Sequence, residues 1–300
     1  MTKNYEKHFN KNRIYRQNTM LQVCMGLVAI DKSNDQVHLV HYSTEEYFSA
    51  HRGGRFPNAK IALAHTCMKY IGYKDFDRQR CKNKEELRQL NDEYPFLQYA
   101  AQNLGLHSLE AERFGTSEIV ELFSEQRRLD CINQVRSNCF HDHSRKFYIS
   151  APATAVQYSL PDVLRLLLRK KGHNIFSVNA VGTERRLPVH EAAYQRSSEM
   201  LDMLLDHGVD LHREDCWENV PLNGAVAGGM TDQVKRILSQ CPDTISHANH
   251  EGRTPLHDAI IYQAEHLIPL LLEYGANINI SSSIDERAPI HEAAAKGKEE

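Results

Sequence analysis

A proline-centred tetrapeptide that recurs four times in the second half of the chain constrains the fold more than any other feature. Its prolines are spaced 33, 34 and 34 residues apart. The four copies are Leu187-Pro188-Val189-His190, Val220-Pro221-Leu222-Asn223, Thr254-Pro255-Leu256-His257 and Ala288-Pro289-Ile290-His291. A pair of small residues follows each copy, and the three complete copies add an apolar pair further on. Because one such unit cannot bury its apolar face alone, the period predicts units stacked into a solenoid.

Each element of the unit has a physical role in a pair of antiparallel helices. Proline at the first helical position loses no hydrogen bond and presets φ, so Pro188 and its equivalents predict helix starts. The apolar pair, Leu204-Leu205 in the first unit, should end the second helix on its buried side. Gly208 should then stop that helix in the left-handed conformation. The histidines of the tetrapeptide, replaced by Asn223 in the second copy, are expected to tie neighbouring backbone segments together.

This pattern resembles the ankyrin repeat, which has the signature T-P-L-H-x-A and a period of 33 residues. The resemblance covers residues 182–300. The expected units are 182–214, 215–248, 249–282 and a truncated 283–300. A degenerate earlier unit is expected over 148–181, where Ala155-Val156 and Leu167-Leu168 stand for the small pair and the apolar pair. The predicted fold of residues 148–300 is therefore an ankyrin-repeat α-solenoid.

The resemblance also implies where a partner would bind. Ankyrin solenoids bind proteins through the turn tips and the first helices, which form one concave face. The positions expected at three successive tips are Trp217 and Glu218, then Asn249, His250 and Glu251, then Asp285 and Glu286. The positions expected on the helices are Tyr194, Gln195, Ile261 and Tyr262. The sequence therefore predicts a non-enzymatic protein-interaction module, whose partner cannot be identified because such surfaces carry no general code.

The first half of the chain shows no such repeat. Residues 1–19 form a basic tail, and residues 20–58 contain two β-type runs around a polar turn, which predict a hairpin. Ser43-Thr44-Glu45-Glu46 has the spacing of a capping box and predicts a short helix. Residues 59–147 are predicted to be helical, with one helix ending at Gly72 and another at Gly105. A further helix is predicted over 117–128, followed by a connector over 129–147.

A second resemblance concerns this first half. Leu27-Val28-Ala29-Ile30-Asp31, the run from Leu39 to Phe48, and Tyr94-Pro95-Phe96-Leu97 are similar to segments of fungal NACHT–ankyrin proteins, which are STAND-type, NLR-like receptors. There the hairpin belongs to a winged-helix-like regulatory domain that precedes helices and then ankyrin repeats. The resemblance implies a mainly α fold with an N-terminal winged-helix-like α+β segment. It also implies that this chain is the sensor or scaffold part of such a receptor, without the NTPase domain.

No motif in the sequence supports an enzyme. The string G-x-x-x-x-G-K-[ST] of a phosphate-binding P-loop does not occur. His190-Glu191 and His291-Glu292 begin like the zinc-protease motif H-E-x-x-H, but the second histidine is missing from both. Cys131, Cys139, His141 and His143 are rich in metal-ligand types, but their spacing is unlike that of zinc sites. We therefore expect no catalytic residue, no metal and no cofactor.

Charge and composition narrow the remaining alternatives. The net charge is −3 with neutral histidine, which does not suit a general nucleic-acid binder. The basic tail beside the hairpin nevertheless leaves a nucleic-acid-binding regulator as the alternative function. No stretch approaches eighteen consecutive apolar residues, so no membrane partner is expected. Seven cysteines without a tight framework suggest free thiols, and hence a cytoplasmic protein, with the nucleus not excluded.

Overall fold

The computed structural model describes residues 28–31, 36–39, 59–77, 81–137, 150–170, 176–182, 185–284, 286–295 and 297. Two short strands, β1 (Val28–Asp31) and β2 (Gln36–Leu39), pair in antiparallel register. The rest of the described chain is helices and turns, so the fold is mainly α and the winged-helix-like α+β domain expected for residues 20–58 is not supported. The basic tail and the helix predicted at Ser43 lie outside the described residues.

Four helices form the helical region between the strands and the repeats. They are α1 (Ala59–Ile71), α2 (Lys84–Glu93), α3 (Pro95–Phe123) and α4 (Gln126–Ser137). Helix α1 packs along α3, and aromatic rings fill the space where α1, α2 and α3 meet. The ring centroid of Tyr70 lies 5.7 Å from that of Phe76 and 5.3 Å from that of Phe96. Phe76 in turn lies 5.0 Å from Tyr94.

The helix boundaries in this region differ from the predicted ones in two places. Gly105 does not end a helix, because α3 continues for 29 residues through it. A Cβ atom at Gly105 would lie 2.7 Å from the carbonyl oxygen of Tyr158, so this glycine serves close helix packing instead of termination. The predicted helix over 117–128 is broken near Ser124, and part of the predicted connector is helix α4. Leu129, Ile132 and Val135 are buried at a spacing of three residues, which anchors α4 in the core.

Helix pairs with short turns make up the repeat region. They are α5 (Ala151–Gln157) with α6 (Pro161–Leu168), α7 (Pro188–Tyr194) with α8 (Ser198–Leu205), α9 (Pro221–Ala227) with α10 (Thr231–Gln240), and α11 (Pro255–Ile261) with α12 (Ile268–Glu273), followed by α13 (Pro289–Ala295). Helices α7, α9, α11 and α13 each begin at the proline of the tetrapeptide, as predicted. The pair α5–α6 stacks on α7–α8, so the degenerate copy forms a helix pair as well.

The apolar pairs and stop signals agree with the prediction except in two places. Leu204 and Leu205 are buried, and Gly208 has a φ of 68°. In the third complete unit, Leu271 is buried but Leu272 is 43% exposed. Cys241, at the position of Gly208, has a φ of −138° and leads into a 3₁₀ turn, so the second unit ends without a left-handed residue.

The helical region and the repeats share one continuous apolar core. The Tyr158 hydroxyl at the end of α5 donates to the carbonyl oxygen of Ala101 in α3. The Asn133 amide of α4 donates to Thr154 Oγ1 of α5 over 2.9 Å. Helix α6 also packs against α3, so the helical region covers the outer side of the first helix pair. Among the described helices, none combines the length and the apolar character that a membrane crossing requires.

Candidate functional site

The turn tips between the helix pairs share one backbone geometry. The Asp215 N–H donates to the Asn219 carbonyl over 2.9 Å, and the Asn249 N–H donates to the Arg253 carbonyl over 3.0 Å. The residue three positions before the proline has a left-handed backbone in each tip: φ is 61° at Glu218, 72° at Gly252 and 54° at Glu286. Each tip is therefore a tight two-stranded loop that projects from the helices.

An acid or amide side chain at one equivalent position organises two of these tips. Asp215 is fully buried, and its Oδ1 accepts from the N–H groups of Trp217 and Asn219, both over 2.9 Å. Asn249 Oδ1 accepts from the N–H groups of Glu251 and Arg253 in the same way, both over 3.0 Å. Asn249, which was predicted to bind a partner, also holds the loop. Sequence reasoning missed Asp215, although its place six residues before Pro221 matches that of Asn249 before Pro255.

Neighbouring tips are hydrogen-bonded to one another. Both the N–H and the Nδ1 of His250 contact the carbonyl oxygen of Trp217, at 3.1 Å and 2.9 Å. The Asn249 amide donates to Asn219 Oδ1 over 3.0 Å, and the carbonyl of Glu251 accepts from the Ser283 N–H over 2.8 Å. The tips therefore form a continuous, hydrogen-bonded edge along the solenoid.

The tetrapeptide histidines link each first helix to the following tip, as predicted. Nδ1 of His190 accepts from the Leu187 N–H over 3.1 Å, and its Nε2 contacts the Asn219 carbonyl at 3.2 Å. Since Nδ1 is the acceptor, Nε2 carries the proton and donates. His257 bonds in the same way to the Thr254 N–H and the Arg287 carbonyl. Burial lowers the pKa of His190 to about 4, so the neutral imidazole is the form that this site holds.

Asn223 departs from this arrangement. Its Oδ1 accepts from the Val220 N–H over 3.1 Å, as a histidine Nδ1 would. Its amide, however, donates to Oδ2 of Asp258 over 2.8 Å instead of reaching a backbone carbonyl. Burial raises the pKa of Asp258 to about 7, although the Asn223 hydrogen bond and the nearby charge of Arg253 oppose that effect. In the histidine-containing units the tetrapeptide side chain bonds to a backbone carbonyl of the next unit. In the second unit it bonds to a titratable carboxyl group instead.

A groove of about 290 Å³ lies between the tips and the first helices of the units 182–214, 215–248 and 249–282. Its lining residues are Arg186, Tyr194, Trp217, Asn219, Asn223, Gly224, Ala227, Asn249, His250, Glu251, Arg253, Asp258 and Tyr262. Six of the eleven residues predicted to bind a partner line this groove. The groove is the candidate functional site.

Three aromatic side chains and one guanidinium form much of the groove surface. Tyr194 is 40% exposed, Trp217 is 37% exposed and Tyr262 is 55% exposed. The Arg186 guanidinium carbon lies 4.2 Å from the ring centroid of Tyr194 and 4.8 Å from that of Trp217. The Tyr194 hydroxyl donates to Asp215 Oδ2 over 3.2 Å, and burial raises its pKa. Trp217 therefore rests on the protein's own arginine and still presents about a third of its surface to solvent.

The other predicted positions do not line the groove. Glu218 and Glu286 are exposed but hold the left-handed residue of a tip. Gln195 donates from its amide to Glu191 Oε1 over 3.0 Å at the end of α7. Ile261 is partly buried at the end of α11, and Asp285 lies outside the described residues.

The described residues show no arrangement that could hold a metal ion. No group of three or more histidine, cysteine, aspartate or glutamate side chains converges within the described ranges. Cys131 is buried on α4, with 3% of its surface exposed, whereas Cys139, His141 and His143 lie outside the described residues. His190 is engaged at both ring nitrogens by the hydrogen bonds above, so it has no ring nitrogen left for a metal.

Comparison with known proteins identifies ankyrin repeats in the C-terminal part of the chain. A family model described as ankyrin repeats (3 copies) matches residues 222–300. The chain is 33% identical over 109 residues to Ankyrin repeat protein nuc-2 of Neurospora crassa, which is 36% of this chain and 10% of that protein. It is 27% identical over 153 residues to ANK repeat-containing protein nipk-1 of Caenorhabditis elegans, which is 46% of this chain and 25% of that protein.

A vertebrate relative has a longer match. The chain is 28% identical over 184 residues to the B-cell lymphoma 3 protein homolog of Mus musculus, which is 60% of this chain and 37% of that protein. The chain thus spans well under half the length of each of these three curated relatives. Residues 222–300 of this chain therefore consist of ankyrin repeats.

Proposed function

We propose that this chain is a non-enzymatic protein-interaction module that binds a partner in the groove between its tips and first helices. The observation that supports the proposal is the grouping of Tyr194, Trp217 and Tyr262 around one concavity of about 290 Å³. Ankyrin repeats generally mediate protein–protein interaction, which supports the proposal. The binding of a partner is the use that this surface fits best.

The aromatic residues supply a physical reason for binding at this place. Large rigid rings bury much area at a small cost in side-chain entropy, and they dominate the energy of many interfaces. Trp217 and Tyr262 come from successive units, yet both line the groove. Trp217 lies in the tip held by buried Asp215, Tyr262 caps the end of α11, and Asn249 holds the tip before that helix. A partner therefore meets a surface that is already ordered, which lowers the entropic cost of association.

The test is to replace groove aromatics and measure both binding and folding. The chain is immobilised, and the proteins that it captures from a lysate of the source organism are quantified. The Trp217→Ala and Tyr262→Ala variants are then compared with the wild-type chain in the same assay. We expect each substitution to weaken capture of a groove-bound partner by about 2 kcal/mol. The change in the free energy of unfolding should stay near half a kcal/mol, as is usual at the surface.

Tyr99→Ala is the matched control. Tyr99 is 40% exposed on α3, in the helical region, so its exposure equals that of Tyr194 while it lies outside the groove. Partners that bind the groove should be retained by the Tyr99→Ala variant. Equal capture by the wild-type chain and both groove variants would contradict the proposal.

The finer proposal is that the module serves as the sensor or scaffold part of a NACHT–ankyrin-like receptor. It is supported by the order of the elements, a hairpin and four helices before the repeats, and by the packing of those helices on the first helix pair. Sequencing the complete transcript tests it. A P-loop NTPase domain encoded in frame before the hairpin is the expected result, and a complete reading frame without one would refute the receptor assignment.

A further inference from the structure

We propose that the Asp258 carboxylate, at the floor of the groove, receives a cationic side chain of the partner, a lysine or an arginine. The inference rests on the proposed function, since it names the chemistry that the same groove would recognise. It follows from the position of Asp258, from the balance of charge around it and from the rings beside it.

Asp258 is buried and incompletely hydrogen-bonded. It is 5% exposed and lines the groove from the first turn of α11. Its Oδ2 accepts from the Asn223 amide over 2.8 Å, and its Oδ1 has no hydrogen-bond donor among the described residues. Oδ1 keeps some accessible surface where Asp258 lines the groove, so a ligand can bring an N–H group to it.

The charges that line the groove leave this carboxylate without an ion-pair partner. Arg186 lies 3.7 Å from Asp215 and 4.0 Å from Glu191, so it faces two acids already. Arg253 and Glu251, which both lie on the tip before α11, form an ion pair with each other. No ion pair involving Asp258 occurs in the described part of the chain. The positive charge of Arg253 acts on Asp258 but is already paired with Glu251, so a cationic ligand would supply an ion pair that Asp258 lacks, and an acidic ligand would be repelled.

The walls of the groove suit the stem and the head of a basic side chain. Tyr262 and Trp217 expose more than a third of their surfaces on the groove. Cations are attracted to the faces of such rings within about 6 Å of the centroid. Arg186 shows this within the protein, since its guanidinium lies over both Tyr194 and Trp217. A lysine or arginine of the partner would combine a ring contact with a charge-assisted hydrogen bond to Oδ1.

The proposal predicts a pH dependence with a definite sign. Burial raises the pKa of Asp258 to about 7, and a cation favours the ionised form. Binding should therefore strengthen as pH rises through 7 and weaken below it. The charged groups near Asp258 are Arg253 and Glu251 on the preceding tip. Helix α9 of the preceding unit contributes Asn223 and Gly224, and helix α13 of the following unit carries His291 and Glu292.

The experiment uses random twelve-residue peptides displayed on phage and selected on the full chain at pH 8. Selected peptides are synthesised, and each of their lysines and arginines is replaced in turn by norleucine. One such replacement should weaken binding to the wild-type chain about tenfold or more. The same replacement should have no effect on binding to the Asp258→Asn variant, because the double-mutant cycle isolates that one contact. At pH 6 the wild-type preference should shrink.

Asp243→Asn is the control, because it makes the same change at a carboxylate that pairs with His212 and does not line the groove. This variant should keep the preference for the basic residue. A melting curve of the Asp258→Asn variant at pH 8 separates binding from folding, and it should show no loss of stability because the neutral amide avoids a buried charge. A preference for the basic residue that persists in Asp258→Asn would overturn the proposal.

Two further outcomes keep the inference apart from the proposed function. Selected peptides that bind without a basic residue, yet lose binding in Trp217→Ala and Tyr262→Ala, would refute the role of Asp258 and leave the groove as an interaction site. Failure to select any peptide whose binding depends on Trp217 or Tyr262 would count against both proposals.

Discussion

The helical region (α1 to α4) and the repeat region (α5 to α13) reach a buried core by different means. In the helical region, one helix of 29 residues packs against others that are distant in sequence, and aromatic rings fill the junction. In the repeat region, helices of six to ten residues pack on their immediate neighbours, and buried polar side chains join one unit to the next. The first arrangement depends on contacts between distant segments, whereas the second repeats a local rule.

The buried titratable groups show the same contrast. In the helical region they are a thiol and a phenol: burial raises the pKa of Cys67 to about 11 and also raises the pKa of Tyr70. In the repeats they include an imidazole and a carboxyl, His190 with a pKa near 4 and Asp258 with a pKa near 7, besides the phenols of Tyr158 and Tyr194, whose pKa burial raises. Buried phenols therefore occur in both regions, whereas the buried groups with a shifted pKa at or below about 7 in the described chain lie in the repeats.

The largest expected effect tests whether the repeats are energetically local. Leu204→Ala removes a fully buried side chain from α8, and Leu97→Ala does the same in α3. Each should lower the free energy of unfolding by about 2 to 5 kcal/mol. In a solenoid each unit contacts only its neighbours, so hydrogen exchange in Leu204→Ala should accelerate in α7 to α10 and much less in α1 and α2.

Uniform acceleration of exchange along the whole chain in Leu204→Ala would remove the distinction between the two regions. In Leu97→Ala, loss of protection should include α1, because α1 packs along α3.

The next effect concerns acid sensitivity. The folded pKa of His190, near 4, is below that of an unfolded histidine, so the unfolded state binds more protons between pH 6.5 and 4. Stability is fully present above pH 6.5 and falls by up to about 3 kcal/mol toward pH 4. Asp258 acts in the opposite direction over this range, so the test is the difference between the wild-type chain and His190→Asn in urea titrations at pH 7 and pH 4.5.

His190→Asn gives the first unit the asparagine that the second unit has at the equivalent position, Asn223. The new asparagine Oδ1 can still accept a hydrogen bond from the Leu187 N–H, as Asn223 Oδ1 does from the Val220 N–H. The variant should be less stable than the wild-type chain at pH 7, and the gap should close by pH 4.5. His65→Asn, on the exposed side of α1, is the control and should leave the difference between the two pH values unchanged. A gap that is constant with pH would show that proton binding by His190 does not set the acid sensitivity.

The smallest expected effect tests how closely the helical region and the repeat region pack against each other. Gly105→Ala places a Cβ atom 2.7 Å from the Tyr158 carbonyl oxygen and 2.9 Å from its ring, so α3 and α5 must separate. The free energy of unfolding should fall by about 1 to 3 kcal/mol, because overpacking exceeds the gain in helix propensity. Leu106→Ala, at an adjacent position that is 66% exposed, should change it by less than about half a kcal/mol. Guanidinium titrations measure both, and equal values would mean that the two regions are not tightly packed at this point.

Sequence reasoning predicted the repeats well and the helical region less well, for a physical reason. The prolines at positions 188, 221, 255 and 289 act through local backbone geometry, so each marks a helix start wherever it occurs. Gly105 has no such local meaning. Its role depends on Tyr158, more than fifty positions away, so the helix stop inferred from it was wrong. The burial of α4 was missed for the same reason, since its apolar residues face helices that the sequence does not place.

The candidate site divides in the same way. Trp217, Tyr194 and Tyr262 could be assigned to the concave face because the repeat register sets which side of each unit they occupy. The register could not show that Asn249 holds its own loop, because Asx-type hydrogen bonds depend on the side-chain conformation. Nor could it show that Asn223 turns to Asp258 instead of to a carbonyl. That choice depends on a neighbouring unit's carboxyl group lying 2.8 Å away.

What the sequence determined by itself was the period and the helix starts, because these follow from local conformational preferences repeated in register. The face on which a partner binds stays a prediction. The tertiary structure alone decided how charges and polar groups meet across units. It placed Arg186 over two rings and left one oxygen of Asp258 without a donor in the described part of the chain. Burial then set the protonation of His190 and Asp258, because desolvation depends on surrounding atoms from many positions rather than on neighbours in the chain.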